Sequence, residues 1–420
     1  MPDPVRREPV TALAELNPRT VLPPDTECSF IGMEDVSEEC EWISNRTRSS
    51  REAAGYTTFS NGDVLFAKIT PCMENGKGAI VDRLIGGHGF GSTEFHVLRA
   101  RPGVAKEYIA QWMQSRTLRL KAEAFMTGSA GQRRVPSEFF SRFEVPVFSL
   151  REQRRIGEIL NTVDDTIRST VRFIAKLEDM KKGLRHDLLS RGLNENGVVR
   201  PKASERSDLY RDTRVGQVPR EWDVGLLDSF ATRGSGHTPN KNVPSYWDGG
   251  IRWVSLADSE RLDNVWIQET DKEISELGIA NSSAVKHVDG TVILSRDAGV
   301  GKSAILVGTM AVSQHFMAWT CGARLNNVYL YYWLQHAKPR FEAIAMGSTI
   351  KTIGLPYFKG LEIAVPSRRE QDAAADFLLD SDRLIWKAEA ERDKLRAVKA
   401  GLMEDLLTGR VRATTSEDAA

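Results

Sequence analysis

Neither sign of charge prevails in this chain. Over 420 residues, 57 Lys and Arg face 57 Asp and Glu, and the formal net charge is zero. This counts against a protein that coats nucleic acid by bulk charge, because neutralising phosphates takes cations. Local basic faces on a neutral whole stay compatible with this balance. Cysteine is scarce: Cys28, Cys40, Cys72 and Cys321 form no CxxC pair and have no histidine at metal-ligand spacing. They read as reduced structural thiols in a cytoplasmic protein, not as a disulfide framework or a zinc site. No apolar run approaches the ~18–20 residues that cross a bilayer. The opening Met1-Pro-Asp-Pro-Val-Arg-Arg lacks a signal-peptide core. A cytoplasmic location without a membrane partner is expected.

Catalytic signatures are also missing. Gly299-Val-Gly-Lys-Ser303 resembles part of a phosphate loop, but Arg296 stands where its first glycine is required. The seven histidines contain no HExxH, and no serine sits in a nucleophile elbow. His96 and His315, near the ends of corresponding strands, read as satisfied core or rim histidines. Asp35 and Asp258 recur in both halves and could be offered as metal ligands, although a carboxylate capping a turn is the better reading. No catalytic residue and no metal site is expected.

What the chain does have is itself, twice. Arg151-Glu-Gln153 recurs as Arg369-Glu-Gln371, an offset of 218. At the same offset Leu160, Asp164, Ile167, Leu177, Lys181, Leu184 and Leu188 reappear as Leu378, Asp382, Ile385, Leu395, Lys399, Leu402 and Leu406. A constant offset means one unbroken element copied once. Ile156, Leu160, Ile167, Leu177, Leu184 and Leu188 fall on a heptad stripe, as do Leu378, Ile385, Leu395, Leu402 and Leu406. Such a stripe winds helices into a left-handed coiled coil. The spacing predicts two long helices, over 151–192 and 369–410. An internal two-fold would make their pairing antiparallel, a symmetry suited to a two-part target.

The repeat continues upstream more weakly. Phe30–Asp35 aligns with Trp253–Asp258, Gly62–Lys68 with Gly290–Arg296, Gly76–Ile80 with Gly301–Ile305, and Gly128-Ser129 with Gly347-Ser348. Short β-rich runs alternate with Gly-rich turns, and helices are predicted near 105–124 and 325–345. The expected fold is α+β: two α/β domains, 1–150 and 215–368, related by a pseudo-two-fold and separated by the helical pair. Residues 193–214, rich in charge, read as a linker, and 411–420 as a disordered tail.

Basic, flexible turns recur in both halves. Gly128 to Arg134 offers Ser129, Gln132, Arg133 and Arg134. Its counterpart offers Thr349 and Lys351. Lys68, Lys77, Arg296 and Lys302 are basic at matched positions. A Gly/His/Thr loop from Gly234 adds His237, Thr238 and Lys241. Exposed amides, hydroxyls and cations on turns suit phosphates and base edges.

At these residues the chain resembles the specificity subunit of type I restriction-modification enzymes. Pro219-Arg-Glu-Trp222, Gly236-His-Thr-Pro239 and Tyr246-Trp-Asp-Gly-Gly-Ile-Arg-Trp253 look like the opening of that family's target-recognition domain. Gly62–Lys68 and Pro366–Gln371 look like later landmarks. The likeness covers nearly all of residues 9–410; the first half has Leu16-Asn-Pro-Arg19 in place of the Gly-x-Thr-Pro loop. The resemblance implies two target-recognition domains, each reading half of a split sequence in double-stranded DNA. It implies two docked methyltransferase subunits and further motor-nuclease subunits. S-adenosylmethionine, ATP and magnesium would belong to those partners, and this chain would be non-catalytic. Two other readings are a coiled-coil adaptor without DNA readout, and an enzyme with an unrecognised metal site.

Overall fold

The computed structural model describes residues 6–38, 41–42, 46–129, 131–347 and 351–413. The chain forms two compact units, Met1–Ile174 with Lys387–Ala420, and Ala175–Trp386.

In the first unit, one antiparallel sheet runs in the order Ala14–Leu16, Phe95–Ala100, Asp63–Ala67, Gly78–Val81. A second sheet runs Arg46–Ser49, Glu27–Ile31, His88–Gly91, Thr57–Ser60, with its two central strands parallel. Why Val64–Ala67, the rest of that strand after Asp63, is a continuous apolar run follows from its place between two layers. Val64 and Phe66 point to one core, with Tyr108, Trp112 and Phe140; Leu65 and Ala67 point to the other, with Ile31 and Phe59. Side chains alternate across a strand, so a strand covered on both faces must be apolar throughout. Helix α1, Lys106–Gln114, covers this sheet. The single helix expected over 105–124 is broken at Ser115, whose extended backbone ends α1 and whose hydroxyl caps the next helix, Arg116–Phe125. Helix α2, Leu150–Ser190, is 41 residues long and begins in this unit.

The second unit repeats the layout. Ala231–Ser235, Phe316–Cys321, Val292–Ser295 and Ser303–Leu306 form the first sheet, with Trp266–Ile267 added at its edge. Lys272–Ile274, Trp247–Val254, Met310–Val312 and Lys286–His287 form the second, again with a parallel central pair. Val292 and Leu294 face one core, and Ile293 faces the other. Helix α3, Asn327–Ile344, covers the sheet, and helix α4, Arg368–Thr408, follows it.

Within each unit, α2 and α4 run antiparallel. In the first unit Asp164 meets Lys399 at 2.5 Å and Glu152 meets Arg412 at 2.6 Å. In the second, Lys181 pairs with Asp382, and the Leu193 amide donates to Glu370 at 2.7 Å. Adding 218 to Asp164 and subtracting it from Lys399 turns the first ion pair into the second. Both aspartates are buried and take a further hydrogen bond, Asp164 from Gln111 at 2.8 Å and Asp382 from the Tyr332 hydroxyl at 2.6 Å. The stripe divides by depth. Ile156, Leu160, Ile167, Leu188, Leu378, Ile385 and Leu406 are buried, while Leu177, Leu184, Leu395 and Leu402 are half-buried. Ile156, Leu160 and Leu406 sit in the core of the first unit with Trp112, and Leu188 and Leu378 in that of the second with Tyr329. The helices therefore pair and also close the cores of both units.

The repeated Arg-Glu-Gln has a structural task. Gln153 is buried, accepts from the Ala105 amide at the start of α1 and donates to Phe148 O, both at 2.9 Å. Gln371 accepts from the Asn326 amide at the start of α3 at 2.8 Å and donates to Pro366 O at 2.8 Å. A side-chain amide offers both functions to such a junction at once. Glu152 and Glu370 take their arginines from beyond the long helices, Arg412 and Arg200. Residues 193–214, expected as a linker, carry structure of their own: Arg200 and Tyr210 are buried, and Tyr210–Thr213 pairs with Gly216–Pro219. Of the expected tail, Arg412 is paired and Ala413 buried; residues 414–420 lie outside the described residues. Among the described residues, no helix is long and apolar enough to cross a membrane.

Candidate nucleic-acid interface

In the second unit the Gly/His/Thr loop lies against the end of strand Met310–Val312. A Cβ on Gly236 would stand 1.6 Å from the Val312 carbonyl oxygen, so only glycine lets the backbone pass. The His237 amide then donates to that oxygen at 3.1 Å, and the Trp253 indole donates to His237 O at 3.1 Å. One residue on, the Thr238 hydroxyl donates to Gln314 Oε1 at 2.6 Å. Gln314 stands exposed at the tip of the turn between Met310–Val312 and Phe316–Cys321, and His237 and Lys241 are exposed beside it. Thr238, Lys241, Trp247, Trp253, Gln314 and His315 line an open cleft of about 330 Å³.

Below that tip a brace fixes the neighbouring loop. Arg296 donates to Gln314 O at 3.2 Å and to Ile353 O at 3.1 Å. His315 Nδ1 lies 2.6 Å from Asp297 Oδ2, and the Thr352 hydroxyl donates to the other carboxylate oxygen. Gly347, at φ 128°, opens the loop, and a bridge between Met346 and Thr352 closes it. Thr349, with Ser348 and Ile350, lies outside the described residues. Lys351 is exposed and borders a cleft with Lys302 and Lys338.

The first unit reproduces this frame with different residues. Gly128, at φ 123°, opens the loop and a Thr127–Arg134 bridge closes it. Ser129 and Gln132 are exposed on it. Arg134 pairs with Glu94 at 2.8 Å, and its guanidinium holds the Glu94 carboxyl below the usual range. Arg133 is half-buried and donates to Glu123 O at 2.8 Å, while Lys68 is half-buried at the end of its strand. In place of the Gly-x-Thr-Pro loop, Asn17 takes φ 49° and binds Val97 through both backbone and side chain.

The geometry bears on several expectations. Lys77 and Lys302 are not free cations: each ammonium donates to a carbonyl of a neighbouring turn, Met33 O at 3.1 Å and Ser259 O at 2.9 Å. Arg134 and Arg296 are likewise engaged within the fold. Desolvated carbonyls at these turns need a donor, and a long cation supplies one. His96 and His315 lie near the start of corresponding strands, as expected, although not at matched positions. Ala67 pairs with Phe95 and Ser295 with Phe316, so His315 corresponds to Glu94 and His96 to Met317. His96 is satisfied by Val135 O at 2.8 Å, and burial lowers its pKa. Asp35 and Asp258 cap turns, accepting from the Gly32 and Ser255 amides at 2.7 and 2.9 Å. In the Gly299–Ser303 turn the Gly301 and Lys302 amides bond to Ser295 O and Gly299 O and cannot cradle phosphate. Gln314 escaped the sequence reading. Its signal was the shared spacing Ser92-Thr-Glu-Phe95 and Ser313-Gln-His-Phe316, visible only once strand register is known.

A family model described as the type I restriction modification DNA specificity domain matches residues 23–179 and again 219–396. The specificity subunit of the type I restriction enzyme EcoAI of Escherichia coli is 39% identical over 162 residues, 37% of this chain and 27% of that protein. The MjaIX specificity subunit of Methanocaldococcus jannaschii is 27% identical over 199 residues, covering 47% of this chain and 46% of its own length. The match thus spans from about a quarter to about half of these relatives. Among solved structures, a chain from a study of complex assembly and conformational transition of the type I R-M system aligns over 98% of this chain and 99% of its own. Its TM-score is 0.60 at 16% identity. The type I restriction-modification S subunit from M. genitalium aligns over 97% of both chains, with a TM-score of 0.56 at 13% identity.

Proposed function

The chain belongs to the type I restriction-modification specificity family, and from that premise we propose that it reads a bipartite, asymmetric sequence in double-stranded DNA. Each unit reads one half-site, and the paired helices set the spacer between them. Methyltransferase and motor-nuclease subunits dock on this chain in the cytoplasm. S-adenosylmethionine, ATP and magnesium act on those partners, and this chain contributes recognition alone.

One observation carries the reading. The same two-sheet frame is built twice, with loops opened at matched glycines, yet the residues at the turn tips of the frame differ. Thr93 and Glu94 in one unit stand where Gln314 and His315 stand in the other. Equal scaffolds with unequal tips suit two half-sites of different sequence. An adaptor would need no such divergence at the tips. The test is to sequence genomic DNA for modified adenines with the gene present and absent. A split, asymmetric motif that depends on the gene supports the proposal; unchanged modification refutes it.

A further inference from the structure

We propose that Gln314 is the side chain with which the second unit reads one adenine from the major groove. The inference rests on the DNA-reading function proposed above and adds a residue and a base to it. The Gln314 amide is held at both ends. Thr238 Oγ1 donates to Oε1 at 2.6 Å, and Nε2 lies 3.4 Å from His315 Nε2. His315 Nδ1 lies 2.6 Å from the Asp297 carboxylate, itself buried and held by Thr352. In the tautomer that donates Nδ1–H to Asp297, His315 Nε2 is an acceptor, and one N–H of the Gln314 amide donates to it. The relay Asp297–His315–Gln314–Thr238 therefore sets which end of the amide is nitrogen. One N–H and one oxygen lone pair are left over on an exposed turn tip.

That remainder matches adenine, which offers N7 as acceptor and N6 as donor side by side. Guanine offers two acceptors there and would leave the Gln314 oxygen facing another oxygen. The surroundings suit DNA: His237 and Lys241 are exposed on the adjoining loop, and Arg296 ties the turn to the stem of the loop that carries Lys351. In the first unit the tip is Thr93, also exposed, above a Glu94–Arg134 pair. A lone hydroxyl cannot make the paired contact, so the two units differ where reading takes place.

The experiment co-expresses the full chain with its methyltransferase subunits and maps modified adenines across the host genome. Wild type should give one split motif. Gln314→Ala should make a single adenine position in one half-site degenerate, with discrimination there falling roughly ten- to hundredfold. The other half-site and the spacer should not change. Gln314→Glu, which keeps the shape and loses the donor, should move the preference at that position toward cytosine. An unaltered motif in both variants overturns the assignment, as does a uniform loss of methylation in both. If the wild-type complex itself shows no split motif, the proposed function fails first, whatever Gln314 does.

Discussion

Deleting residues 168–174 from α2 together with 389–395 from α4 removes one heptad from each long helix. The choice follows from the ion pairs. Both deleted segments lie between Asp164 and Lys181 on α2, and between Asp382 and Lys399 on α4. The Asp164–Lys399 and Lys181–Asp382 pairs therefore survive, and the stripe stays in phase. Seven residues at 1.5 Å each shorten a helix by about 10 Å, or about three base pairs at 3.4 Å rise. The expected result, read from a methylome of the co-expressed complex, is the same two half-sites with a spacer about three base pairs shorter. A deletion from α2 alone is the control. It would throw one buried ion pair out of register by a whole heptad, and stranding a buried charge costs about 3–5 kcal/mol. That variant should not accumulate as folded protein. An unchanged spacer in the matched double deletion would refute the idea that the helices set the distance.

Other outcomes follow from local geometry. Lys351→Ala removes an exposed cation without a reading geometry. Gel shifts should show binding weakened alike on all sequences, with the slope of log affinity against log salt reduced by about one. Arg133→Ala should weaken DNA binding by about 1–3 kcal/mol in the same assay if the guanidinium reaches a base edge; a loss equal on all sequences argues against base contact. Lys399→Ala should cost about 3–5 kcal/mol by leaving Asp164 buried and unpaired. The double change Asp164→Asn with Lys399→Met should restore most of that in thermal denaturation, and failure to recover would show that the pair is not the cause. Burial lowers the pKa of His96, His287 and His336. The unfolded chain then binds more protons than the folded one below the ordinary histidine pKa of ~6.5. Stability should fall as pH drops from 7.5 to 5.5, and a melting temperature that holds or rises would contradict this.

Much of the architecture could be read from residues alone, because periodicity is a local property. The heptad stripe from Ile156 to Leu188 and its copy at a fixed offset declare two long helices whatever surrounds them. An apolar run such as Val64-Leu-Phe-Ala67, bounded by Gly62-Asp63 and Lys68, declares a buried strand. The candidate interface was legible only in outline. Gly128 and Gly347 mark the loops because their positive φ favours glycine, and Gly236 marks a close approach. The state of the cations was not legible, since nothing in the composition separates Lys351, which is exposed, from Lys302, whose ammonium sits on Ser259 O. The local structure within 193–214 was not legible for a similar reason. Arg200 looks like solvated charge until Glu370, far along the chain, is brought to it.

The sequence by itself determined the duplication, the helical elements and the apolar faces, since each depends on spacing along the chain and hydrophobic burial follows that spacing. The tertiary structure alone decided partnership. Which carboxylate meets which amine, and which amide is oriented by which hydroxyl, depends on approaches of about 3 Å between residues many positions apart. Thr238 with Gln314, and Asp164 with Lys399, are such meetings. Hydrogen bonds and ion pairs decay over distances that only the folded chain sets.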